Sequence, residues 1–370
     1  MRAKNIIQVS AYYPPHIGGQ EYAVYYLANQ LAKAGHHVKV MTSALGGGTI
    51  GDKTEDKVSV SRMKGWAFGH APIMPAFPAG LFWAASADTI VHLHIGQAFT
   101  PEVVWLVSKL RRFKYIAELH IDFEPSGPAG VLLPLYKRFV LKRVLHSAQS
   151  IITLNEQTLQ TVRKRYGYTG PAQIMRNGID DALFTLDRPA LQPEPPQTLR
   201  LVFIGRLSKQ KNLLTMLEAL TLTKRKVHLD LVGDGEERGA LERVIAARGL
   251  DNVTLHGPKG RDEVMEFYRT CHVAVMPSLY EAQPLGLLEA LAAGVPIIGT
   301  NVIGVATHIK GAGIIVEPTA QGLADGIEQY YQQYSQLQTM IDHGHALADK
   351  FRWRNILKEY EGLYETAMGN

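Results

Sequence analysis

The sequence is poor in the groups that cross-link a chain, anchor it in a membrane or mark it for export. Its 370 residues include one cysteine, Cys271, so no internal disulfide can form, which fits a reducing compartment. Cys271 follows Phe267 and Tyr268 at helical spacing, and we therefore expect a buried structural thiol rather than a nucleophile. No charged and then apolar leader precedes Ile6, and no apolar run is long enough to cross a bilayer. These absences predict a cytoplasmic protein.

Three common kinds of site are also missing. No His/Cys cluster has the spacing of a metal centre, no D-x-D pair stands at the end of a strand, and Asp180-Asp181 is an adjacent pair rather than a chelate. We therefore expect no metal and no bound cofactor. The chain lacks the G-x-G-x-x-G fingerprint of a dinucleotide site, which disfavours an oxidoreductase. It also lacks a helix-turn-helix, a zinc knuckle and RNA-binding aromatic motifs, which disfavours a nucleic-acid partner.

Charge is present but unevenly distributed. The net charge of +5 divides into 20 basic and 10 acidic residues in 1–178, and 19 basic and 24 acidic residues in 179–370. A basic first half favours an anionic partner, either a phospholipid surface, a lipid-phosphate acceptor or, less well supported, nucleic acid.

Short apolar runs alternate with amphipathic helical stretches in both halves of the chain. This alternation predicts α/β architecture with right-handed crossovers and parallel sheets, in the form of two Rossmann-like domains with a cleft between them. Four prolines between 188 and 197 predict a linker. We predict a first domain at 1–180, a linker at 181–198, a second domain at 199–352, and a helix at about 353–370 that returns to the first domain. The predicted strands are 6–9, 38–42, 91–94, 115–120 and 150–154, then 199–204, 228–232, 253–256, 272–276, 296–299 and 314–316.

Loops that follow predicted strands carry the candidate chemistry. Gly18 and Gly19 lie between the first strand and the first helix, where glycine allows a backbone to approach a phosphate or sugar closely. Arg206 and Lys211 flank a turn after the strand 199–204, where two cations suit a diphosphate or form a solvated basic loop. Gly233 opens a third loop, which we interpret as a structural turn lining a pocket.

The most informative pair is Glu281 and Glu289, eight positions apart. Glu281 lies in the loop after the strand 272–276, and Glu289 lies about one turn into the following helix, which ends near Gly294. Ligands bind at this end of an open parallel sheet, where the helix dipole also favours an anion. Two glutamates at this spacing also occur by chance on protein surfaces, so the neighbouring loops decide the interpretation.

Taken in order, these motifs resemble the retaining glycosyltransferases of family 4, which have the GT-B fold. The resemblance rests on G-R-L-x-x-x-K-N, G-D-G and E-x7-E followed by A-L-A-A-G-V-P in the second half. In the first half it rests on P-P-H-I-G-G-Q-E, L-A-K-A-G-H-H-V and N-G-I-D. It covers essentially the whole chain. The acceptor domain of this family corresponds to the first half, and the nucleotide-sugar domain corresponds to the second.

The resemblance implies a role for each matching residue. Arg206 and Lys211 would bind the donor diphosphate, Glu289 the ribose, and Glu281 the donor sugar. Gly19 would bring backbone amides to the donor phosphate. His120 would meet the donor sugar, whereas the roles of His92 and His94 stay open, since their strand could bury one and expose the other. The catalytic set is thus His120, Arg206, Lys211 and Glu281, and the donor-binding set is Gly18, Gly19, Gly205, Arg206, Lys211, Gly233, Gln283, Pro284, Leu285 and Glu289.

One segment departs from the family pattern. Many members have E-G-F-G where this chain has Glu281-Ala-Gln283-Pro284. Pro284 lacks an N–H, so one backbone donor is lost, although proline is well placed as the first residue of a helix. Gln283 offers a side-chain amide that could replace the lost contact. This segment is where we expect a donor preference to be encoded.

The resemblance implies transfer of a hexosyl group from a nucleotide-diphosphate sugar, with UDP-sugar favoured and GDP-sugar second, to a sugar or lipid-linked acceptor. It implies retention of configuration and no metal. The alternatives are a GT-B nucleotide-sugar epimerase and a non-catalytic partner subunit.

Membrane contact is a further hypothesis for the basic first half. The helix predicted at 132–147 mixes large apolar and basic residues, and Trp66, Phe68, Phe77, Phe82 and Trp83 cluster upstream of it. Peripheral contact with an anionic membrane would bring a lipid-linked acceptor to the protein. The alternative is a helix that buries its Leu and Phe while its Lys and Arg extend outward.

Overall fold

The computed structural model of the chain describes residues 3–16, 18–69, 71–120, 133–281 and 284–368. Contacts divide the chain into two compact units, one formed by Met1–Gly178 with Arg354–Asn370 and the other by Ile179–Trp353. Each unit is built around its own mainly parallel sheet.

An eight-stranded sheet forms the centre of the first unit, in the order β10-β9-β8-β7-β1-β2-β4-β3. Every neighbouring pair is parallel except the edge pair of β3 and β4. In this sheet β2 lies on one side of β1 and β7 lies on the other. The strand order therefore reverses between β1 and β7, and this is the topological switch point. The strands are β1 Asn5–Val9, β2 His37–Ser43, β3 Gly51–Glu55, β4 Val58–Met63, β7 Thr89–Ile95, β8 Tyr115–Leu119, β9 Ser150–Thr153 and β10 Ala172–Ile174, with a separate hairpin of β5 Trp66–Phe68 and β6 Ala71–Ile73.

Helices of the first unit cover this sheet. The central strand β7 is buried along its whole length, and the apolar face of α1 (Val24, Leu27, Leu31) is buried as well, as the helical spacing predicts. The helices are α1 Gly19–Lys33, α2 Phe77–Ala84, α3 Thr100–Arg111, α4 Leu133–Tyr136, α5 Lys142–Ser147 and α6 Glu156–Tyr166, with a π-helical turn at Lys137–Leu141 between α4 and α5.

The second unit contains a six-stranded, fully parallel sheet in the order β13-β12-β11-β14-β15-β16. This is the Rossmann order, with the switch point between β11 and β14, and loops at the carboxyl ends of these two strands form the usual ligand crevice. The strands are β11 Leu199–Ile204, β12 Val227–Val232, β13 Val253–Gly257, β14 Val273–Met276, β15 Ile297–Thr300 and β16 Gly313–Val316. The helices are α7 Leu213–Leu222, α8 Arg238–Arg248, α9 Arg261–Thr270, α10 Leu285–Ala292, α11 Ile303–Ile309, α12 Ala320–Gln332 and α13 Leu337–Asp349.

The C-terminal helix α14, Trp353–Met368, carries the apolar face that its sequence predicts, and from Arg354 onward it belongs to the first unit. Ile356, Tyr360, Leu363 and Tyr364 are buried. The hydroxyl of Tyr364 contacts Gln8 of β1, so this helix is tied directly to the first sheet.

The proline-rich segment predicted as a linker lies within the second unit. Arg188 donates hydrogen bonds to the carbonyl oxygens of Gly294 (2.8 Å) and Cys271 (2.7 Å). Cys271 is buried, as predicted, and burial raises the pKa of its thiol to about 12, which keeps it protonated and unreactive. Among the described helices, none combines the length and the apolar character needed to span a bilayer.

Candidate active site

Two glycine loops pack backbone against backbone at the carboxyl end of the second sheet. A side chain at Gly233 would place its Cβ 1.9 Å from the carbonyl oxygen of Gly205, and Gly233 has a φ of 139° that side chains rarely adopt. Leu207 N donates to the carbonyl oxygen of Asp234 (2.9 Å), which closes the contact. The sequence needs glycine here because no side chain fits between the loops that follow β11 and β12.

Lys211 and Glu281 meet at the switch point of this sheet. The Lys211 ammonium lies 2.5 Å from Oε1 of Glu281, and the carboxylate is nearly buried. Ser278 donates to the same oxygen (2.6 Å), and Gln210 donates to the carbonyl oxygen of Tyr280 (2.8 Å). Because β11 and β14 are neighbours, the loops that follow them are held together.

Glu289 lies on α10 beside Tyr268 of α9. Its carboxylate accepts a hydrogen bond from the hydroxyl of Tyr268 (3.3 Å), which also donates to the carbonyl oxygen of Gly286 (3.0 Å). Burial raises the pKa of Glu289 to about 6, the Tyr268 hydrogen bond opposes that shift, and Asp180 adds to it. Near neutral pH, Glu289 is therefore able to bind a hydrogen-bond-donating ligand in its ionised form.

The start of α10 differs from its prediction. The helix begins at Leu285, and Pro284 precedes it as the N-cap residue rather than the first helical residue. Pro284 still contributes no N–H, and its carbonyl oxygen accepts from Leu287 N and Leu288 N. Gln283 lies outside the described residues.

Arg206 and Gly304 complete the surroundings of these loops. Arg206 lies two residues after the end of β11, is exposed, and makes no ion pair with the residues that the structure describes. Gly304, near the start of α11, was not among the site residues predicted from the sequence. A Cβ there would lie 2.0 Å from the carbonyl oxygen of Glu281, so glycine is required for the Glu281 loop to sit against α11.

The first unit holds the remaining predicted residues at its own switch point. Gly18 is the N-cap of α1 and Gly19 is its first residue, so Gly19 lies in the helix and not in the loop where the sequence predicted it. A side chain at Gly96, which follows β7, would collide with Gln20, so the loop after β7 touches the first turn of α1. Gly19 has open space around its α-carbon, as close approach to a ligand requires.

His120 lies at the end of β8 against other buried polar groups. Its Nε2 is 3.0 Å from Nδ1 of His94 and 3.5 Å from Oε1 of Glu118. Burial lowers the pKa of His120, although Glu118 opposes that shift, and burial likewise lowers the pKa of His94. Burial alone would raise the pKa of Glu118, but the neighbouring histidines outweigh it and hold that pKa well below its usual range.

The expectation that β7 buries one of its two histidines and exposes the other is wrong. His92 and His94 are both buried, because residues two apart on a strand point to the same face, and that face is covered. With Glu118 they are a group of described side chains whose ligand atoms lie within 4.8 Å of one another, and they are therefore the chain's candidate for metal ligation. The sequence missed this group because its members come from two strands.

Two protein-family models match the chain, one in each half. The model described as Glycosyltransferase Family 4 matches residues 17–183, and the model described as Glycosyl transferases group 1 matches residues 189–346. The chain belongs to glycosyltransferase family 4. It has the GT-B fold, with two Rossmann-like domains, and is a glycosyltransferase of the GT-B type.

Individual proteins are similar to nearly the full length of this chain. An uncharacterized glycosyltransferase of Methanocaldococcus jannaschii is 25% identical, with 98% of each chain covered. One component of the phosphatidylinositol N-acetylglucosaminyltransferase of Arabidopsis thaliana is 24% identical, with 98% of this chain and 82% of the relative covered. Among solved structures, the Anabaena protein HepE in complex with UDP-glucose has a TM-score of 0.76 at 18% identity, with 98% of this chain and 99% of HepE covered.

Proposed function

We propose that this glycosyltransferase moves a hexosyl group from a nucleotide-diphosphate sugar to an acceptor hydroxyl with retention of configuration, in the biosynthesis of a polysaccharide, glycolipid or other glycoconjugate. The observation that carries the proposal is the Lys211–Glu281 pair at the switch point of the second sheet, with Glu289 on the adjacent helix. Nucleotides bind at this position in Rossmann-like sheets.

Each residue has a role that follows from its chemistry. The exposed guanidinium of Arg206 and the ammonium of Lys211 bind the diphosphate and stabilise the charge that develops on it as the glycosidic bond breaks. Glu289 accepts hydrogen bonds from the ribose hydroxyls, and Glu281 faces the donor sugar. Gly205 and Gly233 allow the loops after β11 and β12 to pack closely, and Gly18 and Gly19 are proposed to offer backbone N–H groups to a phosphate.

We propose same-face attack, in which the leaving diphosphate takes the proton of the acceptor hydroxyl. The alternative of a covalent glycosyl intermediate would need Glu281 as a free nucleophile, whereas Glu281 is bound by Lys211 and Ser278. Fixed cations at the diphosphate supply the electrostatic stabilisation that a divalent ion gives in other transferases, so we propose that no metal is required.

UDP-sugar is the proposed donor, with GDP-sugar second, and the similarity to HepE in complex with UDP-glucose supports this preference. The test is an assay of purified protein against UDP-, GDP- and ADP-sugars with candidate acceptors, with release of nucleotide diphosphate and the anomeric configuration of the product as readouts. We expect acceptor-dependent release and a retained anomeric configuration, unchanged by a chelator. An inverted product or loss of most activity in chelator would contradict the corresponding part of the proposal.

The acceptor is proposed to be lipid-linked, and the protein is proposed to be cytoplasmic and peripheral to an anionic membrane. The alternative that the segment at 133–147 buries its apolar residues is wrong for two of them, because Leu135 and Phe139 are both exposed. The cations Arg138, Lys142 and Arg143 are exposed on the same helical stripe. The similarity to the phosphatidylinositol N-acetylglucosaminyltransferase component of Arabidopsis supports a lipid acceptor.

Flotation with liposomes tests this surface. The wild-type protein is expected to float with vesicles of phosphatidylcholine and phosphatidylserine but not with phosphatidylcholine alone. The double variant Leu135→Ser/Phe139→Ser should lose most of this binding, whereas Leu222→Ser, which removes an exposed leucine of the second unit, should keep it. Binding that is independent of anionic lipid, or equal for all three proteins, would remove the membrane proposal and leave the transferase proposal intact.

A further inference from the structure

Two histidines and one glutamate converge in the buried interior of the first unit. His92 and His94 are two apart on β7, so their side chains point to the same face, and Glu118 of β8 lies opposite His94 in the register of the two strands. The rings of the two histidines stack with their centroids 4.2 Å apart. Each of the three side chains is at most 1% exposed. We call these three residues the histidine and glutamate group.

The polar atoms of the histidine and glutamate group are spaced as the ligands of a tetrahedral zinc ion are. His92 Nε2 lies 3.0 Å from Oε2 of Glu118, and His94 Nδ1 lies 3.7 Å from the same oxygen. Zinc binds imidazole nitrogen and carboxylate oxygen at about 2.0–2.2 Å, so two ligand atoms of a tetrahedral ion are about 3.3–3.6 Å apart. The two observed distances lie on either side of this range. One ion can therefore contact all three atoms after small movements of the side chains.

His92 Nε2 has the position of a metal ligand but not the alignment of a hydrogen-bond donor. Although it lies 3.0 Å from the Glu118 carboxylate, it makes no hydrogen bond with any described residue. Buried polar atoms in folded proteins nearly always have a partner, because burial without one is destabilising. A cation held between this nitrogen and the carboxylate oxygen would be a partner for both.

Further polar groups contact the atoms of the group that face away from the proposed ion. Nδ1 of His92 lies 2.8 Å from the hydroxyl of Tyr364, and Nε2 of His94 contacts the side-chain oxygen of Gln8. The hydroxyl of Tyr360 donates to the carboxylate at 3.1 Å. Histidines that bind a metal through one ring nitrogen usually hydrogen-bond through the other, and ligating carboxylates are hydrogen-bonded as well. The histidine and glutamate group has these outer contacts already in place.

The chemistry of the three ligands selects zinc among the common metals. Magnesium and calcium take oxygen ligands, whereas two of the three atoms here are imidazole nitrogens. Two histidines and one carboxylate also bind iron, but such iron sites keep several open positions for oxygen and substrate. The present group is enclosed, since Nε2 of His120 lies 3.0 Å from Nδ1 of His94 and 3.5 Å from Oε1 of Glu118. Zinc needs only four ligands, and His120 adjoins the position left for the fourth.

We propose that His92, His94 and Glu118 bind one zinc ion, which ties β7 to β8 inside the first unit. The role of this ion is structural, and it fixes the end of β8 that His120 directly follows. The proposal rests on contacts within the first unit and not on the proposed function. The cations proposed for the diphosphate belong to the second unit, so transfer itself is still proposed to need no metal. Because the ligands are buried, a chelator added to an assay should not remove the ion.

Elemental analysis of the untagged full chain, produced in zinc-supplemented medium and dialysed against chelator, tests the site directly. We expect about one zinc per chain. X-ray absorption at the zinc edge should show nitrogen and oxygen ligands at about 2.0–2.2 Å, with the scattering pattern of imidazole. Absence of zinc, or another metal in its place, would overturn the proposal. Sulfur in the ligand shell would also overturn it, because the ion would then be bound at Cys271.

Variants of the ligands and a matched control locate the ion. His94→Gln and Glu118→Gln each remove one ligand, and zinc affinity should fall by more than the about 10- to 100-fold that loss of an outer partner costs. The control is His36→Gln, because His36 is also buried and lies 3.2 Å from a carboxylate oxygen, that of Glu361 on α14, but is not part of the group. This variant should keep its zinc. Equal zinc content in the control and in the ligand variants would contradict the proposed site.

A measurement on the wild type alone covers the case in which the ligand variants do not fold. The chain is produced in zinc-depleted and in zinc-supplemented medium, and both preparations are unfolded with denaturant. A structural ion should raise the unfolding midpoint of the supplemented protein, since it binds the folded state. Identical midpoints would contradict a structural role. If zinc is bound but no sugar is transferred, the proposed function fails and the site stands, whereas transfer by a protein that never binds zinc removes the site alone.

Discussion

Glu281 and Glu289 are eight positions apart in the sequence but lie in different electrostatic environments. Glu281 has the Lys211 ammonium and the Ser278 hydroxyl against one carboxylate oxygen. Glu289 has a single neutral donor, Tyr268, in a buried setting that raises its pKa to about 6. The Glu281 carboxylate is therefore fixed in position by a cation and a hydroxyl, whereas the Glu289 carboxylate gains most from a ligand that brings hydrogen-bond donors.

The pKa of Glu289 makes the binding of a nucleotide diphosphate dependent on pH. Ribose hydroxyls favour the carboxylate, so affinity should rise as pH increases through about 6, by up to roughly tenfold between pH 5 and pH 7. Calorimetric titration of UDP checks this in the wild type and in Glu289→Gln. The variant removes the Glu289 contribution but keeps the titration of the phosphate itself, so its pH dependence should be shallower. Identical profiles would show that Glu289 does not bind the ligand in its ionised form.

The Lys211–Glu281 pair predicts a large loss of activity when one partner is removed. Lys211→Met leaves the Glu281 carboxylate nearly buried without its cation and removes a positive charge from the proposed diphosphate site, so kcat/KM should fall by about 10²- to 10³-fold. Lys209→Met, in the same short turn but with an exposed side chain, is the matched control and should lie within about threefold of the wild type. Equal losses in the two variants would show that the effect comes from losing any positive charge in this turn and not from losing the Lys211–Glu281 pair.

At the scale of elements, the walls of the site are made by backbones rather than by side chains. The loops after β11 and β12 approach so closely that glycine is required at 233, and the start of α11 approaches Glu281 so closely that glycine is required at 304. These backbone contacts fix the positions of the loops. A side chain inserted at either contact should therefore disturb both folding and ligand binding.

Gly233→Ala tests this packing. The added Cβ would collide with the carbonyl oxygen of Gly205 and would also strain a positive φ, so we expect a loss of at least about 2 kcal/mol in the free energy of unfolding and of UDP binding by the surviving protein. Gly239→Ala is the control, because Gly239 lies in α8 and the nearest side-chain atom to an added Cβ would be 3.6 Å away. Alanine there should be neutral or stabilising by up to about 1 kcal/mol. Chemical denaturation of both variants gives the comparison.

Strands and helices with a clear periodicity could be predicted from the sequence, and most of the strands named in advance lie within two residues of their observed limits. The edge strand β3 could not, because it is exposed along almost its whole length and shows no apolar alternation. Its neighbour β4 was not predicted either, although it is mostly buried. Phe77 and Trp83 belong to one short helix, α2, that buries the first and exposes the second, which clustering of aromatics alone did not reveal.

The candidate site in the second unit was predictable because its residues lie in short sequence motifs, each of which follows a predicted strand. Tyr268, which contacts Glu289, was not predicted, because it comes from the preceding helix α9 and no spacing connects the two. The histidine and glutamate group was not predicted for the same reason. His92 and Glu118 become neighbours only through the pairing of β7 with β8, and Tyr364 joins them from the other end of the chain.

At the scale of the whole molecule, each unit has a parallel sheet with its own topological switch, and candidate residues collect at both switches. The chain's charge follows the same division, since the residues up to 178 are basic and those from 179 are acidic overall. Within the acidic second half, the exposed Arg206 and the Lys211–Glu281 pair place positive charge where a diphosphate is proposed to bind. The central claim is therefore that this half binds the nucleotide of a sugar donor.

Equilibrium binding of nucleotide diphosphate sugars is the most direct test of that claim. Thermal unfolding of the wild type and of Arg206→Ala would be followed with UDP-, GDP- and ADP-sugars. We predict that one nucleotide, UDP first, stabilises the wild type by about 2.7 kcal/mol at a hundred times its Kd, and that Arg206→Ala binds it at least tenfold more weakly. If none of the three nucleotides stabilises the wild type, or if Arg206→Ala binds as tightly as the wild type, the proposed donor site is contradicted.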